Sequence, residues 1–221
     1  MRIPLAALLF ASLLTPAARA EVSTMAVIPM FAQQIMLQQP AGWELAYLYE
    51  DRATSLAKFV PADQTLFDWR EMLSAEAYKD IATLSTRGPD TMLRAIQSDY
   101  AGHCAEAITA ETLDPPFING YPGAAMLVSC MTLADDFDGG TAAEGIQALV
   151  IAIRGREDFY VVRYAVRSPR PDPARPSLSA QNYRAYQELI SPLLLCETGD
   201  DIRACSDHRP AFPVVSPKPP R

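Results

Sequence analysis

The sequence predicts an α+β fold, one antiparallel β-sheet flanked by helices in a single domain. Three observations predict it. Residues 145–167 read as a hairpin of two long strands, and residues 43–60 repeat that pattern nearer the start. Only two later segments, opening near Pro89 and near Ala180, space their apolar residues as helices do.

The elements follow in order. Trp43, Leu45, Tyr47 and Tyr49 alternate with Glu44, Ala46, Leu48 and Glu50, so the first four should share one face. Asp51-Arg52 turns the chain into a second strand over 54–60. Residues 66–82 fit two periods. Trp69, Met72 and Leu73 suit a helix, while Trp69, Glu71, Leu73, Ala75 and Ala77 suit a strand, so a short helical turn followed by a strand is predicted. Pro89 fits a first helical turn; Met92, Leu93, Ile96 and Tyr100 make its apolar face and Gly102 ends it. Residues 103–113 and 124–133 are two further strands, with His103 at the start of the first.

In the long hairpin, Ile146, Ala148, Val150 and Ala152 alternate with Gln147, Leu149, Ile151 and Ile153. Both faces are largely apolar, as in a strand covered on both sides. Gly155-Arg156-Glu157-Asp158 reverses the chain. Tyr160, Val162, Tyr164 and Val166 then form an apolar face, and Arg163 and Arg167 mark the opposite face as the wetter one. The second helix is expected over 180–195. Ser179 would cap it, Tyr183, Tyr186, Leu189, Ile190, Leu193 and Leu194 would be its buried stripe, and Pro192 would kink it.

Residues 1–20 specify the compartment. Arg2, the apolar run 3–14 and Ala18-Arg19-Ala20 read as a secretory signal peptide with a small-x-small cleavage site, so the mature chain is expected to begin at Glu21. The apolar run is shorter than the roughly 20 residues a membrane span needs. The first cysteine is Cys104, so no lipid anchor is expected at the new N-terminus. The expectation is a periplasmic or secreted protein without a membrane anchor after cleavage. Residues 21–205 form the single domain. Residues 206–221, with Pro210, Pro213, Pro217, Pro219 and Pro220, form a tail expected to be disordered, and 168–176 an extended proline-rich connector.

Of 19 Lys and Arg, Arg2 and Arg19 lie in the leader, which leaves 17 against 26 Asp and Glu and a net charge of −9. Such an acidic surface argues against nucleic acid or anionic lipid as a partner. Cys104, Cys130, Cys196 and Cys205 are an even set in an exported chain, which points to disulfides. Three connectivities are possible. Spacing favours Cys104–Cys130, on neighbouring strands, and Cys196–Cys205, either side of the turn Gly199-Asp200-Asp201.

Several segments carry a family resemblance. They are Pro40-Ala41-Gly42-Trp43 and Ile118-Asn119-Gly120-Tyr121-Pro122-Gly123-Ala124-Ala125, each entering a strand, the hairpin with Tyr160, and the closing helix over 183–195. With Phe59-Val60-Pro61, Gln64-Thr65 and Trp69-Arg70-Glu71-Met72, they make residues 36–196 similar to the PsbP/DcrB-like group of exported and thylakoid-lumen proteins. The resemblance implies a PsbP-like antiparallel sheet flanked by helices. The group shares no catalytic set, so no active-site residue carries over. This chain lacks the lipobox of the lipoprotein members and the transit segment of the chloroplast ones.

The chemistry-bearing residues admit plain readings. A Cys104–His103 nucleophile pair fails because adjacent strand residues point to opposite faces. Ser129-Cys130 and Ser206-Asp207-His208 lack the G-x-S-x-G elbow. Asp135, Asp136 and Asp138 are the candidate metal ligands, but Gly140 and Gln147 stand where an EF-hand needs acids, so a solvated Asp-Gly turn is preferred. Trp43, Tyr47, Trp69 and Tyr121, with Tyr49, are the candidate ligand groove, weighed against ordinary core packing. Arg154, Arg163 and Arg167 are candidate anion ligands, weighed against solvated strand arginines. No cofactor is expected. The resulting reading is a non-catalytic exported binding or assembly-accessory protein whose partner is an envelope protein or a small ligand. The alternative is a small periplasmic hydrolase or metal-assisted enzyme using His103 or the 135–138 cluster.

Overall fold

A computed structural model of the chain describes residues 23–84, 88–116, 118–134, 145–168 and 178–207. The expected leader, most of the proline-rich connector, Asp135, Asp136, Asp138, His208 and the tail from residue 208 onward lie outside them.

Among the described residues ten strands and three α-helices form an α+β fold that is mainly β. A seven-stranded antiparallel sheet runs β3(Trp43–Glu50), β4(Thr54–Pro61), β5(Glu71–Tyr78), β9(Phe159–Ser168), β8(Gly145–Arg154), β7(Gly123–Cys130) and β6(Thr109–Leu113) in spatial order. A three-stranded sheet runs β1(Thr24–Met30), β2(Gln33–Gln39) and β10(Leu194–Glu197). The second sheet was not foreseen, because Gln33, Gln34, Gln38 and Gln39 hide the apolar alternation of its central strand.

Alternation gives the large sheet two apolar faces. Leu73, Ala75, Leu149, Ile151, Val162 and Tyr164 point to the small sheet, where they pack with Ile35, Leu37, Leu195 and Tyr183. Met72, Val128, Ala148, Val150, Val161 and Ala165 point the other way and pack against Leu93, Ile96 and Tyr100 of α1(Pro89–His103). Helix, sheet and sheet therefore form three layers with a core on each side of the large sheet. Pro89 stands in the first turn of α1, where its missing N–H costs nothing.

Four expectations need correction. The second helix is only α2(Tyr183–Leu189). Its cap residue is Asn182, whose side chain accepts a hydrogen bond from the Ser179 backbone N–H at 2.8 Å, so the Ser179 side chain is not the cap. Leu194 and Leu195 then join β10 on the open edge of β2, because Pro192 cannot continue a helix and that edge offers partners for their backbone. His103 ends α1 rather than starting a strand, and β6 begins only at Thr109. The hairpin face carrying Arg163 and Arg167 is not wet: the two residues are 8% and 6% exposed. Finally, β3 does not keep Trp43, Leu45, Tyr47 and Tyr49 on one face. A β-bulge between Leu45 and Tyr47 shifts the register, so Leu45 opposes Phe59 while Tyr47 opposes Lys58.

Candidate functional site

The bulge divides the predicted aromatic groove. Trp43 packs with the core facing the small sheet, as does Tyr121. Tyr47 and Tyr49, beyond the bulge, stack on each other on the helix side, with ring centroids 6.4 Å apart. Trp69 is on the helix side too and is only 1% exposed. Tyr121 is also buried; its hydroxyl accepts a hydrogen bond from Gln33 Nε2 at 2.7 Å and donates to Glu197 Oε1 at 3.4 Å. Burial, followed by the charge of Glu197, pushes its phenol pKa up. The four side chains thus do not form one groove, and Trp43 lines an open cleft.

That cleft is built where the β3–β4 hairpin opens. Gly42 adopts φ 75°, a left-handed turn that suits glycine, and its carbonyl accepts the Ala62 N–H at 2.8 Å. The loop from Ala62 to Arg70 is held by its own side chains. Gln64 Oε1 accepts the Arg70 N–H at 2.6 Å, and Asp68 accepts both the backbone N–H and the hydroxyl of Thr65 at 2.6 Å. Between the turn and the loop lies an open cleft of about 410 Å³ lined by Gly42, Trp43, Pro61, Asp63, Gln64 and Glu71. A second cleft between α1 and β6 measures about 240 Å³, below the usual size of a small-molecule site.

Aromatic rings back the larger cleft. Trp43 lies 5.8 Å from the ring of Tyr164, which lies 5.2 Å from that of Tyr186. The Tyr186 phenol pKa is raised, first by burial and then by the negative charge of Glu71. A half-buried indole beside the carboxylates of Glu71 and Asp63 is an environment for a positively charged group, because ring faces and carboxylates both attract cations.

The candidate anion ligands are occupied differently. Arg163 sits 3.3 Å from Glu76 Oε1 and 5.7 Å over the Tyr100 ring, and Arg167 stacks 3.9 Å over Trp69. Glu76 also accepts the Tyr78 hydroxyl at 2.7 Å, and burial together with that carboxylate raises the Tyr78 phenol pKa. Arg154 donates to the Ala82 carbonyl at 2.8 Å. These arginines are cross-braces between the sheet and its covering elements.

Both preferred cysteine pairs are present. Cys104–Cys130 ties the end of α1 to β7, and Cys196–Cys205 ties β10 to α3(Ile202–Asp207), with Cα separations of 5.8 and 5.2 Å. His103 Nε2 is 3.8 Å from Asp99 Oδ1, one helical turn back. No group of three potential metal ligands is found among the described residues.

Buried polar residues that sequence reasoning passed over join the layers. Asp158 accepts the backbone N–H groups of Ala32 and Asp80, at 3.2 and 2.8 Å. Gln33 Oε1 accepts the Arg156 N–H at 3.0 Å, and Arg156 pairs with Glu197. The signal for them was present: glutamines at alternate and adjacent positions of an apolar strand must find partners if buried. The chain matches no protein-family model and no curated protein.

Proposed function

We propose that this chain is a non-catalytic exported protein, periplasmic or secreted, that binds a small organic cation in the cleft at Trp43. The observation that carries the reading is the meeting of the half-buried Trp43 ring with Glu71 and Asp63 in an open cleft of about 410 Å³. Export is supported by the signal-peptide pattern of residues 1–20 and by the two disulfides. Among the described residues no helix is long and apolar enough to cross a membrane. A PsbP-like architecture is part of the same reading, supported by an antiparallel sheet with a helix on one face. An assembly-accessory role is compatible with it when the cation is a lysine or arginine side chain of a partner.

The test uses the two tryptophans. Trp43 is half-buried and Trp69 buried, so a ligand entering the cleft changes the emission of Trp43 alone. Titration with spermidine or tetramethylammonium is expected to give a saturable fluorescence change, absent in Trp43→Phe and weakened in Glu71→Gln. A neutral disaccharide should leave the emission unchanged. Saturation by the disaccharide, or an unchanged response in Trp43→Phe, would overturn the reading.

A further inference from the structure

We infer that β3 is the pairing edge of a symmetric dimer, in which two copies of this chain join their large sheets antiparallel with Leu45 of each opposite Leu48 of the other. The inference does not rest on the cleft reading, although Trp43 belongs to both. Among the described residues β3 is the terminal strand of the large sheet, and one row of its backbone N–H and C=O groups has no described strand beside it. Its side chains are unusually apolar for such an edge: Leu45 is 50% exposed, Tyr47 40%, Leu48 63% and Tyr49 43%. These are four of the ten exposed large apolar side chains among the described residues, and they lie on both faces of one strand.

The bulge selects the partner. Trp43 packs toward the small sheet, and Leu45, Leu48 and Glu50 oppose Phe59, Ala57 and Ser55 on that side. Glu44 opposes Val60 on the helix side, where Ala46 also packs, and Tyr47 and Tyr49 oppose Lys58 and Leu56 there. Ala46 and Tyr47 therefore share a face although they are consecutive. An ordinary alternating strand set in phase with Leu45 is out of phase by Leu48, so the bulge defends this edge against generic pairing. A second copy, reversed, carries the same two-residue step at the same place.

Only one symmetric register pairs β3 over its whole length. With the twofold axis between Ala46 and Tyr47, Trp43 faces Glu50, Glu44 faces Tyr49, Leu45 faces Leu48 and Ala46 faces Tyr47, and every opposed pair lies on one side of the sheet. No carboxylate faces another. Shifting by one residue in either direction puts every opposed pair but the central one on opposite faces of the sheet. The contact is isologous, as a closed dimer requires. It would also bury the two exposed leucines against each other on one face and the tyrosines on the other.

The experiment is sedimentation equilibrium on the mature chain, with site-directed cross-linking. The native cysteines are all paired, so introduced thiols report alone. A dimer is expected for wild type and loss of the dimer for Leu45→Glu/Leu48→Glu, whose circular dichroism should be unchanged because both sites are surface positions. Mixing Leu45→Cys with Leu48→Cys under mild oxidation should give a cross-linked dimer, and either variant alone should not, since like positions sit about 10 Å apart along the strand. A wild-type chain that stays monomeric at millimolar concentration overturns the inference. So does a dimer that survives the double glutamate variant, or cross-linking as strong in a single variant as in the mixture. Cation binding at Trp43 is measured in the same samples, so a monomer that still binds spermidine rejects the dimer alone.

Discussion

Arg163 holds its guanidinium 3.3 Å from the carboxylate of Glu76, with both residues buried on the helix side of the large sheet. The pair sits on adjacent strands, β9 and β5, next to Tyr100 of α1. Each charge has left water, so each depends on the other and on neighbouring donors such as the Tyr78 hydroxyl.

Breaking that pair from one side should therefore cost far more than removing it whole. Glu76→Gln leaves the Arg163 charge buried without its counter-ion and is expected to lower the unfolding free energy by about 3–5 kcal/mol. Adding Arg163→Met to that variant should restore part of the loss, because an apolar side chain suits the surrounding core. Urea unfolding of the two single variants and the double variant measures the coupling. Additive losses would show that the two charges do not depend on each other.

Acid should weaken the fold through two exposed loop carboxylates. Asp51 accepts the Ala53 and Thr54 N–H groups at 2.8 and 2.7 Å and the Tyr49 hydroxyl at 3.0 Å, and these bonds lower its pKa, the Ala53 bond most. Asp68 is lowered chiefly by the Thr65 hydroxyl and then by the Thr65 N–H. A carboxylate with a depressed folded-state pKa binds fewer protons folded than unfolded, so its contribution is present above the unfolded value. It is lost as pH falls from about 3.9 through the lower folded value. Urea midpoints followed from neutral pH downward should drop less steeply in Asp51→Asn/Asp68→Asn than in wild type. Parallel acid limbs would remove these two groups from the account.

Much of this was legible where a segment carried one period and one environment. The hairpin over 145–167, the strands over 43–50 and 54–60, the turn before β5, α1 and the Cys196–Cys205 pairing each followed from spacing and turn residues, and the Cys104–Cys130 bridge is formed although Cys104 caps α1 rather than lying in a strand. Legibility failed where two physical demands share the same residues. Leu193, Leu194 and Leu195 suit a helix stripe as well as a strand, and the open edge of β2 decided for the strand. Arg163 and Arg167 read as surface because arginine is seldom buried, yet Glu76, Tyr100 and Trp69 supply partners that are distant in sequence. The bulge in β3 has no signature among Leu45, Ala46 and Tyr47, and it alone separates Tyr47 from Trp43 in the predicted groove.

The two disulfides should contribute unequally. Cys104–Cys130 spans 26 residues and Cys196–Cys205 spans 9. Loop-closure entropy alone gives about 3.5 kcal/mol for the first and about 2.6 kcal/mol for the second. Replacing both cysteines of one pair by serine, and comparing urea unfolding of the two variants without reductant, checks the order. The shorter loop has a further role, since Cys196 and Cys205 pack with Met36 and Leu194 beneath the small sheet. A larger loss from the Cys196–Cys205 pair would mean that this packing outweighs the entropy of the longer loop.

Asn119 stands in for a missing strand beside β10. Its φ is 24°, a left-handed conformation that asparagine tolerates better than most residues. From there its amide bonds both ways with one residue: Nδ2 donates to the Leu195 carbonyl at 2.9 Å and Oδ1 accepts the Leu195 N–H at 3.0 Å. Nδ2 also reaches the Cys205 carbonyl at 3.2 Å. Asn119→Gly keeps the backbone freedom and removes every one of these bonds. It should cost about 1–3 kcal/mol for each buried backbone group left unsatisfied and speed hydrogen exchange at the Leu195 amide. Asn119→Asp isolates the donor. An ionised carboxylate still accepts the Leu195 N–H but repels the two carbonyls, whereas a protonated one can donate to them. Its folded-state pKa is therefore raised, and the stability gap between Asn119→Asp and wild type should narrow as pH falls. Reading that gap rather than either absolute stability cancels the acid loss that both chains share. A gap that stays constant, or widens, on acidification would show that the Nδ2 donor does not hold β10 in place.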